Sequence, residues 1–275
     1  RILSFLHNKA LAAATIAATT TTFLYYTNQV RAYKMPPSRT KHNTPQSSSS
    51  SSSENDDNIY LPSMIVFDLD DCLWTPEMHE LPGYPDIPVQ GYLNPSSDSS
   101  SSDDDDDEEE VGTIGMQVPR YKTTVKLYTG ARRALRELVT NPNYKHIVIG
   151  VASTSLEPSY SHACIDGIEI TKGVRLRDVI TYDQIGRSGP FLTSRKTTHF
   201  QLLHQESGVP YNEMLFFDDC NWGDHVGDVQ NAFGVIGVAT PHGLQYSEFE
   251  KGLEIYRLEV EKRLGGGKKR KQDEF

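Results

Sequence analysis

Cysteine is scarce, with three residues in 275, at Cys72, Cys164 and Cys220. They make neither a CxxC pair nor an even set, which excludes a disulfide-framed scaffold and points to a reducing compartment. Acidic residues are missing from the first 53 positions, where six basic residues precede the first acid, Glu54. A basic, acid-free, Ser/Thr-rich N-terminus reads as an organelle-targeting segment. A signal anchor is the second reading, and read-through of an untranslated region before Met35 the third; otherwise the address is cytoplasmic. Strongly apolar runs are also missing. Ala10–Val30 is uncharged and long enough to span a bilayer, but its alanines and threonines make it weakly hydrophobic. Membrane contact is therefore expected only through this N-terminal segment.

The tracts 36–58 and 94–110 are too polar and repetitive to bury a core. The expected division is an N-terminal segment 1–58, one domain over 59–264 interrupted by the acidic insert 94–110, and a basic tail 265–275. The formal charge of −10 has little bearing on partners, because the run DDDDDEEE from Asp103 to Glu110 supplies eight of the negative charges. No nucleic-acid partner is expected. The tail residues KKRK read as solvated rather than as a nuclear address.

The remaining sequence alternates apolar strands with helices. Met64–Leu69, KHIVIGVAS, Val179–Tyr182, EMLFFDD and FGVIGVAT read as strands. TGARRALRELV reads as a helix capped by Thr129, and RKTTHFQLLHQESG as one that stops at Gly208. A third helix spans Glu248–Leu264, with Gly265–Gly267 as its stop signal. Near-continuous apolar strands alternating with helices predict an α/β fold, a parallel sheet with helices on both faces. Ligands of such sheets bind beyond the carboxyl ends of the strands, where the strand order reverses.

The polar residues at those ends are Asp68 and Asp70, Ser153 and Thr154, and Asp218 and Asp219, with Lys196 opening a helix. Four converging carboxylates repel one another unless a hard cation sits among them, and Mg²⁺ suits one or two carboxylates plus a substrate phosphate. A cation, a lysine and a hydroxyl around a nucleophilic carboxylate describe phosphoryl transfer through an aspartyl-phosphate. A second carboxylate two residues on suits general acid–base work.

The stretches FDLDDCL, GVAST, SRKTTHF and FFDDCNWGDHVGDV resemble the four motifs of the haloacid dehalogenase superfamily. The likeness is closest to its magnesium-dependent phosphatase-1 family and covers most of 60–93 and 121–250. It implies a Rossmann-like fold without a large cap domain. It also implies Asp68 as nucleophile and metal ligand, and Asp70 as general acid/base with its main-chain carbonyl on the metal. Leu69, Ser153, Thr154 and Lys196 would hold the phosphate, and Asp219 and Asp218 would complete the Mg²⁺ shell. The implied substrate is a phosphorylated protein side chain, phosphotyrosine above all, or a small phosphorylated metabolite such as a sugar phosphate. Two positions depart from the family pattern. Cys72 stands where a hydroxyl residue is usual, and Thr154 where an arginine is common. Such departures keep a phosphate-binding module without turnover as the alternative. His199 and His204 read as packing or surface residues, and Asp224 and Asp228 as a solvated or capping pair.

Overall fold

The computed structural model describes residues 60–94 and 110–269. The targeting reading of 1–58, most of the acidic insert and the last residues of the tail lie outside the described residues. No helix among the described residues is long and apolar enough to cross a membrane.

The chain opens on β1 (Met64–Phe67), followed by β2 (Trp74–Thr75), β3 (Ile87–Tyr92), β4 (Val111–Gln117) and β5 (Thr124–Leu127). Helix α1 (Thr129–Thr140) leads to β6 (Val148–Ser153), α2 (Pro158–Gly167), β7 (Glu169–Thr171) and β8 (Val174–Arg175). A single turn, α3 (Leu176–Val179), precedes β9 (Ile180–Ile185) and α4 (Lys196–Ser207). The chain closes with β10 (Met214–Asp218), α5 (His225–Phe233), β11 (Ile236–Ala239) and α6 (Tyr246–Lys269).

Five strands form a parallel sheet in the order β11-β10-β1-β6-β9. Their side chains alternate between two cores, as a period of two requires. Ile65, Phe67, Val151, Leu215 and Phe217 pack with Ala134, Leu135, Ile165 and Phe249, under α1, α2 and α6. Met64, Val66, Phe216 and Ala152 pack with Phe200, Leu203 and Val229, under α4 and α5. Helices therefore cover both faces, and the α/β class expected from the apolar runs is the one observed. The chain leaves β1 toward β6 and β9, then returns to β10 and β11, so the strand order reverses between β1 and β10.

Four details differ from the sequence expectation. The strand expected over Val179–Tyr182 is β9, displaced forward because 176–179 form a helical turn. Asp178 Oδ2 accepts the Arg175 amide at 2.9 Å and closes that turn. Thr129 is the first helical residue rather than the cap, and no side chain caps α1. This end packs on the chain near Leu244 and Tyr246, so closely that only a glycine fits at Gly130. Helix α6 runs through Gly265–Gly267 to Lys269. Glycine weakens a helix interior by about 1 kcal/mol each without forbidding the next hydrogen bond.

The fourth difference is an entire sheet. Strands β2-β5-β4-β3 form an antiparallel flap beside the carboxyl ends of the main sheet, in a segment whose glycines and polar residues gave no apolar run. The buried Arg132 of α1 ties it down, donating to the Glu169 carbonyl and, at 3.0 Å, to the Ile114 carbonyl. The Glu169 carboxylate accepts the Thr113 amide at 2.5 Å.

Candidate active site

Register places the first two carboxylates. Phe67 pairs with Phe217 on the adjacent parallel strand, and their rings stack 5.5 Å apart on the α1/α6 face. The next residues, Asp68 and Asp218, therefore turn to the opposite face, toward α4. The Asp68 amide donates to the Phe217 carbonyl at 2.9 Å, which extends the ladder to this point. Beyond it both chains turn sharply through left-handed residues, Asp71 at φ 53° and Cys220 at φ 59°. A non-glycine residue rarely adopts that conformation, and such residues cluster where a loop is held for a purpose.

Lys196 opens α4 with its side chain fully buried under these strand ends. Its Nζ lies 2.6 Å from Asp68 Oδ1 and 2.9 Å from Asp218 Oδ2, and it donates to the Ala152 carbonyl at 2.8 Å. Both of these carboxylate oxygens are buried, and the ammonium is their near neighbour. Asp218 Oδ1 accepts the Cys220 amide at 2.9 Å, and His225 Nδ1 lies 3.1 Å from it. Asp219 Oδ2 accepts the Asn221 amide at 2.9 Å. Ligand atoms of Asp68, Asp218 and Asp219 all lie within 4.8 Å of one another. Three buried carboxylates and one lysine carry excess negative charge. A hard, oxygen-seeking divalent cation fits that donor set.

Burial pushes Asp68 well above the ordinary carboxylate value, against the pull of Lys196. Burial would do the same to Asp218, but Lys196 and His225 outweigh it and hold that group low. Burial opposes the charge on Lys196, and the two aspartates overcome it, so the ammonium persists above its usual range. Asp70 sits half-buried at the turn, where Trp74 Nε1 donates to its Oδ1 at 2.8 Å. Burial raises its pKa above 3.8 despite that bond, which favours its protonated form. Asp219 is also raised, first by burial and then by the charge of Asp218.

Ser153 ends β6 almost fully buried, and Thr154 follows half-buried. Leu69 is buried in the core, and its carbonyl collects the amides of Cys72, Leu73 and Trp74 within 3.3 Å. Cys72 supplies no hydroxyl to the cleft. Its thiol donates to the Phe217 carbonyl at 3.6 Å and accepts from Thr240 Oγ1 at 3.5 Å. Cys72, Cys164 and Cys220 are all free thiols. Asp224 caps α5 by accepting the Gly227 amide at 2.9 Å, as a capping role requires.

Ser155 and His225 escaped sequence reasoning, and His199, expected as a packing or surface residue, is packed and buried beside the site. Ser155 is buried and receives the Ser161 hydroxyl at 3.2 Å. His199, fully buried one turn after Lys196, has Nε2 3.1 Å from the Ser153 carbonyl and 2.8 Å from that of Gly186. Its Nδ1 lies 3.2 Å from the Arg195 carbonyl. The spacing of three from Lys196 on the covered face was the available signal for it. His225 gave none, because its contact with Asp218 depends on how the loop folds.

A doubly wound sheet with an acidic cluster and a buried lysine at its switch point defines a haloacid-dehalogenase-like phosphatase. Residues 60–259 match the family model described as Acid Phosphatase, and the chain belongs to that family. A HAD-like hydrolase superfamily protein of Schizosaccharomyces pombe is 27% identical over 162 residues, 59% of this chain and 78% of that protein. Human magnesium-dependent phosphatase 1 is 26% identical over 196 residues, 71% of this chain and 88% of that protein. The N-terminal part of the Bacteroides fragilis protein BF1531, containing a phosphatase domain complexed with Mg, matches with a TM-score of 0.42 and 16% identity. That match spans 71% of this chain and 41% of the other.

Proposed function

We propose that this chain hydrolyses phosphomonoesters through a phosphorylated Asp68, with Mg²⁺ held by Asp68, Asp218, Asp219 and the Asp70 carbonyl. The observation that carries this reading is the meeting of three buried carboxylates around Lys196 at the switch point. The likeness to a magnesium-dependent phosphatase supports the choice of metal. Bound there, the cation would offset the negative charge that an incoming phosphate adds to the carboxylates.

An Asp68 carboxylate oxygen attacks phosphorus as the bond to the leaving-group oxygen breaks. Asp70, protonated at the start, gives that oxygen its proton. Asp70, now a carboxylate, then takes a proton from water as the water attacks the aspartyl-phosphate, which frees phosphate and restores Asp68. Such proton transfer contributes about 10²–10⁴ in rate. Lys196 neutralises the phosphoryl oxygens and keeps Asp68 oriented. Ser153, Thr154 and the amides at Leu69 and Asp70 hold the remaining oxygens. Among the described residues no large cap stands over the site, which leaves room for a phosphorylated protein side chain, phosphotyrosine foremost, as well as for a sugar phosphate.

The test is phosphate release from p-nitrophenyl phosphate, with Mg²⁺ and with chelator, by the chain and its Asp68→Asn variant. The expected result is metal-dependent turnover that the substitution removes. A folded chain that binds Mg²⁺ without turnover would instead favour the phosphate-binding module, to which Cys72 and Thr154 point.

A further inference from the structure

Trp222 leaves 75% of its surface exposed, the largest such fraction among the exposed large apolar side chains of the described residues. Its loop begins directly after Asp219, and the Asn221 amide anchors that loop to the Asp219 carboxylate at 2.9 Å. The indole is nonetheless held in place. Its Nε1 lies 3.2 Å from both carboxylate oxygens of Glu77, a residue 145 positions earlier, and donates to them. The His79 ring stands nearly perpendicular to it, with centroids 6.1 Å apart, and His79 Nδ1 contacts Glu77 Oε2 at 3.1 Å.

Glu77 and His79 follow the turn that carries Asp70, close enough for Glu77 to feel the charges of Asp70 and Asp71. The Trp222–Glu77 bond thus closes one rim of the cleft, from the end of β10 to the loop after β2. An exposed tryptophan fixed by its polar edge keeps an apolar face free at low entropic cost. That is a platform for a flat ring. A sugar leaving group, rich in hydroxyls, gains little from it.

We propose that Trp222, tethered by Glu77 and braced by His79, is the specificity-determining residue of this site and receives a planar aromatic leaving group. The inference rests on the phosphatase reading and assigns a residue to the aryl-phosphate preference within it. Aromatic pairing of this kind changes binding about three- to tenfold.

Two arms test the proposal. The first compares kcat/KM for phenyl phosphate and for glycerol phosphate. The ratio of the two should fall about three- to tenfold in Trp222→Ala, through KM, and less in Trp222→Phe, which keeps a ring without the tether. An unchanged ratio in Trp222→Ala overturns it. The second arm needs no turnover. The only other tryptophan, Trp74, is fully buried, so solvent-exposed indole emission reports Trp222. With Mg²⁺ present, benzylphosphonate should quench or blue-shift that emission where ethylphosphonate does not, and Trp222→Phe should lack the signal. Equal responses to the two phosphonates, or none, refute the platform. If neither ester is hydrolysed the phosphatase reading fails, and this binding arm alone decides the aromatic subsite.

Discussion

Replacing Lys196 by methionine keeps most of its volume and removes its charge. The ammonium is fully buried, 2.6 Å from Asp68 Oδ1 and 2.9 Å from Asp218 Oδ2, and bonded to the Ala152 carbonyl. Removing one partner of a buried ion pair typically costs about 3–5 kcal/mol, because the other charge is left uncompensated. For a domain of this size that corresponds to a fall in Tm of roughly 6–20 °C. The measurement is urea unfolding with chelator present, so that no cation substitutes for the lysine. A second variant, Lys196→Met with Asp218→Asn, should recover much of the loss, since it removes one of the stranded charges. The lysine's folded pKa is raised, so its stabilisation is complete below the ordinary 10.5 and fades only as pH rises through the folded value. The difference between wild type and variant should therefore be level from about pH 7 to 9. A loss below about 1 kcal/mol would refute the reasoning, because it would mean that solvent already screens the cluster.

Mg²⁺ at about 100 times its dissociation constant should raise unfolding stability by roughly 2.7 kcal/mol, and Asp219→Asn should remove that increment in a thermal-shift titration. Arg132→Leu strips two partly buried carbonyls of a charged donor, and urea titration should show a loss of about 2–4 kcal/mol. Protease susceptibility should rise first in the flap that Arg132 ties down. His199→Ala leaves the buried carbonyls of Ser153 and Gly186 without their shared imidazole, for about 1–3 kcal/mol, measured by the same titration. Its KM for p-nitrophenyl phosphate should rise as Ser153 loses its support, and His199→Gln should restore part of both.

The main sheet was legible because its strands are buried on both faces, which forces unbroken apolar runs at Met64–Phe67, Val148–Ser153 and Met214–Asp218. The polar residues that stop those runs drew attention to Asp68, Ser153 and Asp218 before any contact was known. The flap sheet was not legible. Its strands are partly exposed, interrupted by glycine, and held by long-range bonds such as Arg132 to Ile114.

The sequence alone thus determined the α/β class, the strand ends that bear carboxylates, and the lysine that opens a helix, because each leaves a local mark of hydrophobicity or spacing. Only the tertiary structure decided that Asp218 shares Lys196 with Asp68, that His199 Nε2 meets the carbonyls of Ser153 and Gly186, and that Glu77 holds Trp222 across the cleft. In these contacts Lys196 lies 128 positions from Asp68 and 22 from Asp218, His199 lies 46 from Ser153, and Trp222 lies 145 from Glu77. Their energies come from burial and mutual distance, which no local pattern of residues encodes.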